Sequence, residues 1–336
     1  MNITIYHRYT LSRFWLFLAA FVCLSPMHVS AIGYVDKDHY LHPIMIDIRH
    51  KDYDAAMVKL EPYVQKNDAD ALFWYGYMKQ QNFGRDRYGA YKWFQQAGEL
   101  GNPYALFKLS GVDGTGDVCE VNGWECSEDN LDKAIFLWKE LAKKGDAKAG
   151  FFYQIHDRSF LEKFYDKFSG EGVKYFLDAA KKGYVRPLAS SMVGLQTTGK
   201  TYQEYWGEEM YQALLDNIDK DPQIAMYFVH NPYEGMKNED RRNLYLDSLK
   251  KGYGGKYYDW AIRDGLISNE EAYVFDRAKH IGTGENFDEV FYAKDYKISE
   301  NKIPELNNKS EAFFNSIEHV INFDEKEFMF MFDPDV

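Results

Sequence analysis

Apolar positions along the chain recur at three- and four-residue steps, and the recurrence is broken at regular intervals by a glycine or a short polar turn. In the segment from Leu131 to Lys144, the residues Leu131, Ala134, Ile135, Trp138, Leu141 and Ala142 fall on one face of a helix. Lys143 and Lys144 then place positive charge at the negative end of the helix dipole, and Gly145 stands where the chain must turn left-handed. Asp146, like Asn102 after Gly101, is positioned to cap the helix that follows, and Pro103 suits a first turn. Segments of the same kind occupy 90–97, 173–182 and 244–251.

These stops are themselves periodic. Asn67, Gly101, Gly145, Gly183, Lys220 and Gly252 are separated by 34, 44, 38, 37 and 32 residues. A unit of this length holds two antiparallel helices, and a unit of two helices buries its apolar face only by stacking on its neighbours. Small residues recur after each stop, at Ala71, Ala105 and Ala149, where neighbouring helices would approach closely. The pattern predicts an all-α chain with its array over 51–265, a lead-in at 32–50, and a helical extension and tail at 266–336. Within the extension, 268–277 and 310–321 read as helices, and 297–309, which contains Pro304, reads as a polar connector.

The stretch Tyr88-Gly-Ala-Tyr-Lys-Trp-Phe-Gln-Gln-Ala-Gly-Glu-Leu-Gly-Asn-Pro-Tyr-Ala-Leu-Phe-Lys-Leu-Ser-Gly111 carries a resemblance, and 132–149 carries it again. Its alanine, glycine and tryptophan spacing resembles the Sel-1-like repeats, relatives of the tetratricopeptide repeats. The resemblance spans about residues 50–265, strong in three units and loose in three. It implies a right-handed solenoid of about six helix pairs whose concave face binds a partner. By analogy with the repeat pattern, Asp70, Phe73, Tyr77, Tyr104, Phe107, Lys148 and Phe151 project toward that groove. The chain departs from the family between Gly116 and Asp129, where a longer connection carries two cysteines, and at Lys220, where the family prefers glycine.

The first thirty-one residues differ from the rest. A polar start with His7, Arg8 and Arg13 precedes the eleven apolar residues Phe14–Leu24, and Val29-Ser30-Ala31 supplies small residues for cleavage. This is the layout of a secretory signal and is too short to span a bilayer comfortably; an uncleaved N-terminal anchor is the alternative. No later stretch is long and apolar enough for a membrane helix, so the mature chain is expected to be soluble and periplasmic or secreted. Export leaves Cys119 and Cys126 as an even pair in an oxidising compartment, which predicts a local disulfide around a turn-like segment. A redox or metal-binding pair is the alternative, without CxxC spacing or a nearby histidine to support it.

Charge narrows the partner. The 336 residues hold 40 basic and 52 acidic side chains, a net charge of −12, and setting aside residues 1–31 leaves 38 against 52, or −14. Such a surface repels phosphate backbones, which argues against nucleic acid. With 7 tryptophans, 27 tyrosines and 24 phenylalanines, not every ring need lie in the core, and aromatic rings anchor protein recognition.

Catalytic motifs are not apparent. The sequence has no HExxH, no phosphate-binding loop ending in GK[ST] and no GxSxG elbow, and its Gly-Thr-Gly triplets at 114–116 and 282–284 read as turns. His39, His42 and His50 cluster near Asp38 and Asp47, and His39 and His42 could share a helix face and bind a metal with a carboxylate; a lead-in is rarely rigid enough to preorganise a metal, and solvated histidines are the favoured reading. Glu208-Glu209 and Glu270-Glu271 are adjacent in sequence and splay apart on a helix. The reading is a non-enzymatic binding protein without catalytic residues, cofactor or metal. The resemblance implies scaffolding, adaptor or inhibitory roles, including those of periplasmic immunity proteins that neutralise toxin enzymes delivered by type VI secretion. A scaffold in envelope signalling is an alternative, and weak beta-lactam hydrolysis, described for some cysteine-rich relatives, is a remote one; the Ser-x-x-Lys context it needs is not recognisable. The closing Phe328-Met-Phe-Met-Phe332 run is either tucked into the last groove or offered to a partner.

Overall fold

A computed structural model describes residues 39–49, 52–81, 89–111, 119, 123–157, 171–192, 201–253, 258–283 and 286–318. The signal segment and the Phe-Met run lie outside the described residues. Among those described there is no strand, and the chain is all-α.

Seventeen α-helices follow one another among the described residues. The first seven are α1 (His42–Arg49), α2 (Tyr53–Val64), α3 (Ala69–Gln81), α4 (Ala90–Glu99), α5 (Pro103–Lys108), α6 (Glu128–Lys143) and α7 (Ala147–His156). The next six are α8 (Glu171–Lys181), α9 (Arg186–Ser190), α10 (Tyr202–Trp206), α11 (Glu208–Leu215), α12 (Pro222–His230) and α13 (Asn238–Lys250). The last four are α14 (Tyr258–Arg263), α15 (Asn269–Thr283), α16 (Glu289–Asp295) and α17 (Ile303–Ser316), the last entered through a 3₁₀ turn at Glu300–Lys302. From α1 to α8 each helix packs chiefly on its neighbours in sequence, the contact expected of stacked helix pairs.

The stops hold as the local chemistry requires. Gly101 and Gly145 have φ of 94° and 96°, the left-handed region where a Cβ would be strained, and Asn67 adopts the same region at 57°. The side chains of Asn102 and Asp146 then accept from Ala105 N (2.8 Å) and Ala149 N (2.8 Å), and Asp68 from Ala71 N (2.9 Å). Lys220 is not left-handed; α11 ends early and a five-residue turn leads to Asp221, which caps α12 through Gln223 N. The irregularity at this stop therefore follows from the missing glycine.

The apolar faces merge in series. One cluster runs from Leu41 to Phe152, a second joins Ala147 and Phe151 to Tyr184, a third spans Leu177 to Phe228, and a fourth spans Met226 to Leu306. Close approach is literal at Gly76, where an added Cβ would lie 3.1 Å from the Trp93 Cβ. In α6, Leu131, Ala134 and Trp138 are buried as the periodicity predicts.

Two expectations need correction. The lead-in contains α1, whose Ile44, Met45 and Ile48, with Leu41 just before it, are buried in the same cluster as α2, so it is part of the packed array. The polar connector at 297–309 is helical from Ile303 onward, because Pro304 sits in the first turn of α17, where its missing N–H costs nothing. The extension also holds α16, which the periodicity did not reveal. Among the described residues, no helix is long and apolar enough to cross a membrane.

Candidate functional site

The first turns of α3, α5 and α7 put corresponding residues of three successive units beside one another. Each helix begins with a capping side chain, Asp68, Asn102 or Asp146, and the second helical residue is Asp70, Tyr104 or Lys148. The cap of one unit reaches back to the unit before it: the buried Asn102 amide donates to Asp70 Oδ1 at 2.8 Å. The Lys148 ammonium lies 4.3 Å from the centre of the Tyr104 ring. On the N-terminal side, the Tyr40 hydroxyl donates to Asp68 Oδ1 at 2.6 Å, and the Tyr40 ring stacks on Tyr63.

Asp70 is exposed, yet the helices around it strip much of its hydration. That burial raises its carboxyl above the ordinary aspartate range, and the neighbouring Asp68 charge adds to the shift. Lys148, the Asn102 hydrogen bond and His39 pull it back down. Tyr40 is shifted upward by its own burial and by the bond to Asp68, so its hydroxyl remains a donor.

The seven residues expected in the groove separate into two sets. Asp70 is exposed and Lys148 and Phe151 are half-buried, so these three are accessible to a partner. Phe73 and Phe107 are fully buried, and Tyr77 and Tyr104 nearly so. Phe73 packs on Trp74 and Phe94, and Phe107 lies between Trp138 and His156. Their place is the wall between helices, because the next helix of the stack covers the face that the repeat pattern alone leaves open. Phe151 meets Phe176 and Tyr184 on its inner side. Sequence reasoning missed Asn102 and Tyr40 as site residues. The Asn102 cap was legible, but its second bond to another unit depends on how the units stack.

Cys119 and Cys126 form a disulfide, with Cα atoms 5.9 Å apart. The loop they close is tied to the array: Trp124 packs on Tyr91 and Phe94, Tyr91 donates to Glu125 O, and Ser127 N donates to Leu109 O. Among the described residues no group of three histidine, cysteine or acidic side chains could hold a metal ion. Large apolar side chains are exposed elsewhere, at Val58, Phe136, Val290 and Phe291.

No known protein family's profile matches the chain, and no curated protein matches it. A solved structure of a protective antigen present in uropathogenic Escherichia coli strains, displaying an SLR fold, is similar over 78% of the chain at 11% identity and a TM-score of 0.38. The match spans 56% of that antigen, so the chain corresponds to little more than half of its length.

Proposed function

We propose that the protein is a non-enzymatic binding protein of the bacterial periplasm that grips another protein along the row formed by the first turns of α3, α5 and α7. The observation that carries this reading is the accessible trio of Asp70, Lys148 and Phe151, drawn from two units and braced by buried neighbours in the unit between. An acid, a base and an aromatic ring held on rigid helix starts supply polar specificity and apolar contact together. Their positions are set by caps and packing, so little entropy is lost when a partner engages them. The disulfide supports an exported location, since such a bond persists in oxidising compartments.

Within this class, the finer reading is an immunity protein that blocks a toxin enzyme delivered by type VI secretion, with an envelope scaffold as the alternative. The acidic surface suits a partner with a basic face in either role. The chain recovered natively from producing cells is expected to retain a partner in stoichiometric amount. A variant carrying Asp70→Asn, Lys148→Met and Phe151→Ser should lose that partner while keeping its helical circular dichroism. Retention of the partner by the triple variant would defeat the proposal. Protection of cells against the captured partner would select the immunity role over the scaffold.

A further inference from the structure

Rungs in which the capping residue of one helix meets the first turn of an earlier unit occur in the row and again farther along the chain. Two of these rungs can be compared directly. Between α9 and α12, Arg186 and Asp221 lie 3.6 Å apart and are buried, so the acid of that rung faces a cation supplied by the chain itself. Between α3 and α5, the corresponding pair is Asp70 and Asn102, an acid and a neutral amide. The amide satisfies Oδ1 without cancelling the charge.

The acids at the helix caps of these rungs and of the row are already committed. Asp68 accepts from Tyr40 and from Ala71 N, Asp146 caps α7, and Asp221 caps α12 while facing Arg186. Among the described residues, no cation approaches Asp70 to ion-pair distance, and its Oδ2 has no hydrogen-bond partner. Lys148 acts on Asp70 through space, and its ammonium is held over the Tyr104 ring. An exposed carboxylate held by the Asn102 amide at one oxygen presents the other to an incoming cation in a fixed orientation.

We infer that Asp70 is the acceptor for one basic side chain, arginine or lysine, presented by the partner protein, with Tyr104 and Lys148 walling the seat on one side. The inference rests on the binding role proposed above and adds the chemistry of what is bound. Lys148 sets the register, since a second basic residue placed over it would be repelled. Arginine fits best: its planar fork can bond Oδ2 while lying against neighbouring groups.

The test uses the full chain against an array of short peptides of randomised sequence. The peptides that bind are expected to carry arginine or lysine at one fixed position. Replacing that arginine by citrulline, which keeps the shape and removes the charge, should weaken binding about tenfold or more. Asp70→Asn should produce the same loss and abolish the difference between arginine and citrulline. Asp70→Lys should reverse the preference, favouring glutamate at that position. Peptides bound equally well by the parent and Asp70→Asn, or an array in which no peptide binds, would overturn the inference. Partner retention by the parent chain in native purification is read independently, so the broader binding role can survive that failure.

Discussion

Single residues set both the turns and the electrostatic character of this chain. The cap at Asn102 does two jobs, closing the first turn of α5 through Ala105 N and orienting Asp70 in the preceding unit. Farther along, His230 at the end of α12 is half-buried and lies 4.2 Å from Trp260, whose ring also carries the Arg241 guanidinium at 4.8 Å. Burial, and then the Arg241 charge, lower the imidazole's affinity for a proton, with Asp264 opposing. As pH falls through the ordinary imidazole value near 6.5, the unfolded chain takes up a proton that the folded chain resists. The stability contributed by neutral His230 is thus present above that pH and lost below it. Urea unfolding should show a falling midpoint from about pH 7 to pH 5. His230→Asn should flatten part of that slope; an unchanged slope would contradict the assignment.

At the scale of elements, local chemistry made much of the fold legible. Left-handed stops, caps and an apolar stripe every three or four residues are properties of a few neighbouring residues, and they identified α4 to α8 and the units they build. Lys297–Lys309 was harder, because a proline reads as a breaker until the helix start that accommodates it is seen at Ile303. The site was half legible for a related reason. Asp70, Lys148 and Phe151 remain accessible, but whether Phe73 or Phe107 faces solvent is decided by the next helix in the stack. The disulfide loop acts at this scale too. Closing a loop with a sequence separation of 7 removes little chain entropy, worth about 2 kcal/mol. Cys119→Ser with Cys126→Ser should therefore lower stability by about that amount. Hydrogen exchange should quicken around α4 to α6 and leave α12 to α17 unchanged, because among the described residues Trp124 and Ser127 fasten the loop to the former. Uniform acceleration along the chain would show that the loop supports more than its neighbours.

For the whole molecule, stacking in series has a functional consequence. Units that contact mainly their neighbours place equivalent side chains in a row, and a row offers an extended partner several contacts in fixed register. The proposed binding face is this row, centred on Asp70. The exposed apolar side chains on α2 and α6, Val58 and Phe136, are not part of it. The most direct measurement is site-specific photo-crosslinking in cells producing the full chain. A photoreactive residue replaces His39 or Phe151 beside the row, or Val58 or Phe136 as controls. The expected result is that one and the same partner protein is captured from positions 39 and 151 and none from 58 and 136. Capture from 58 or 136, with positions 39 and 151 silent, would contradict it.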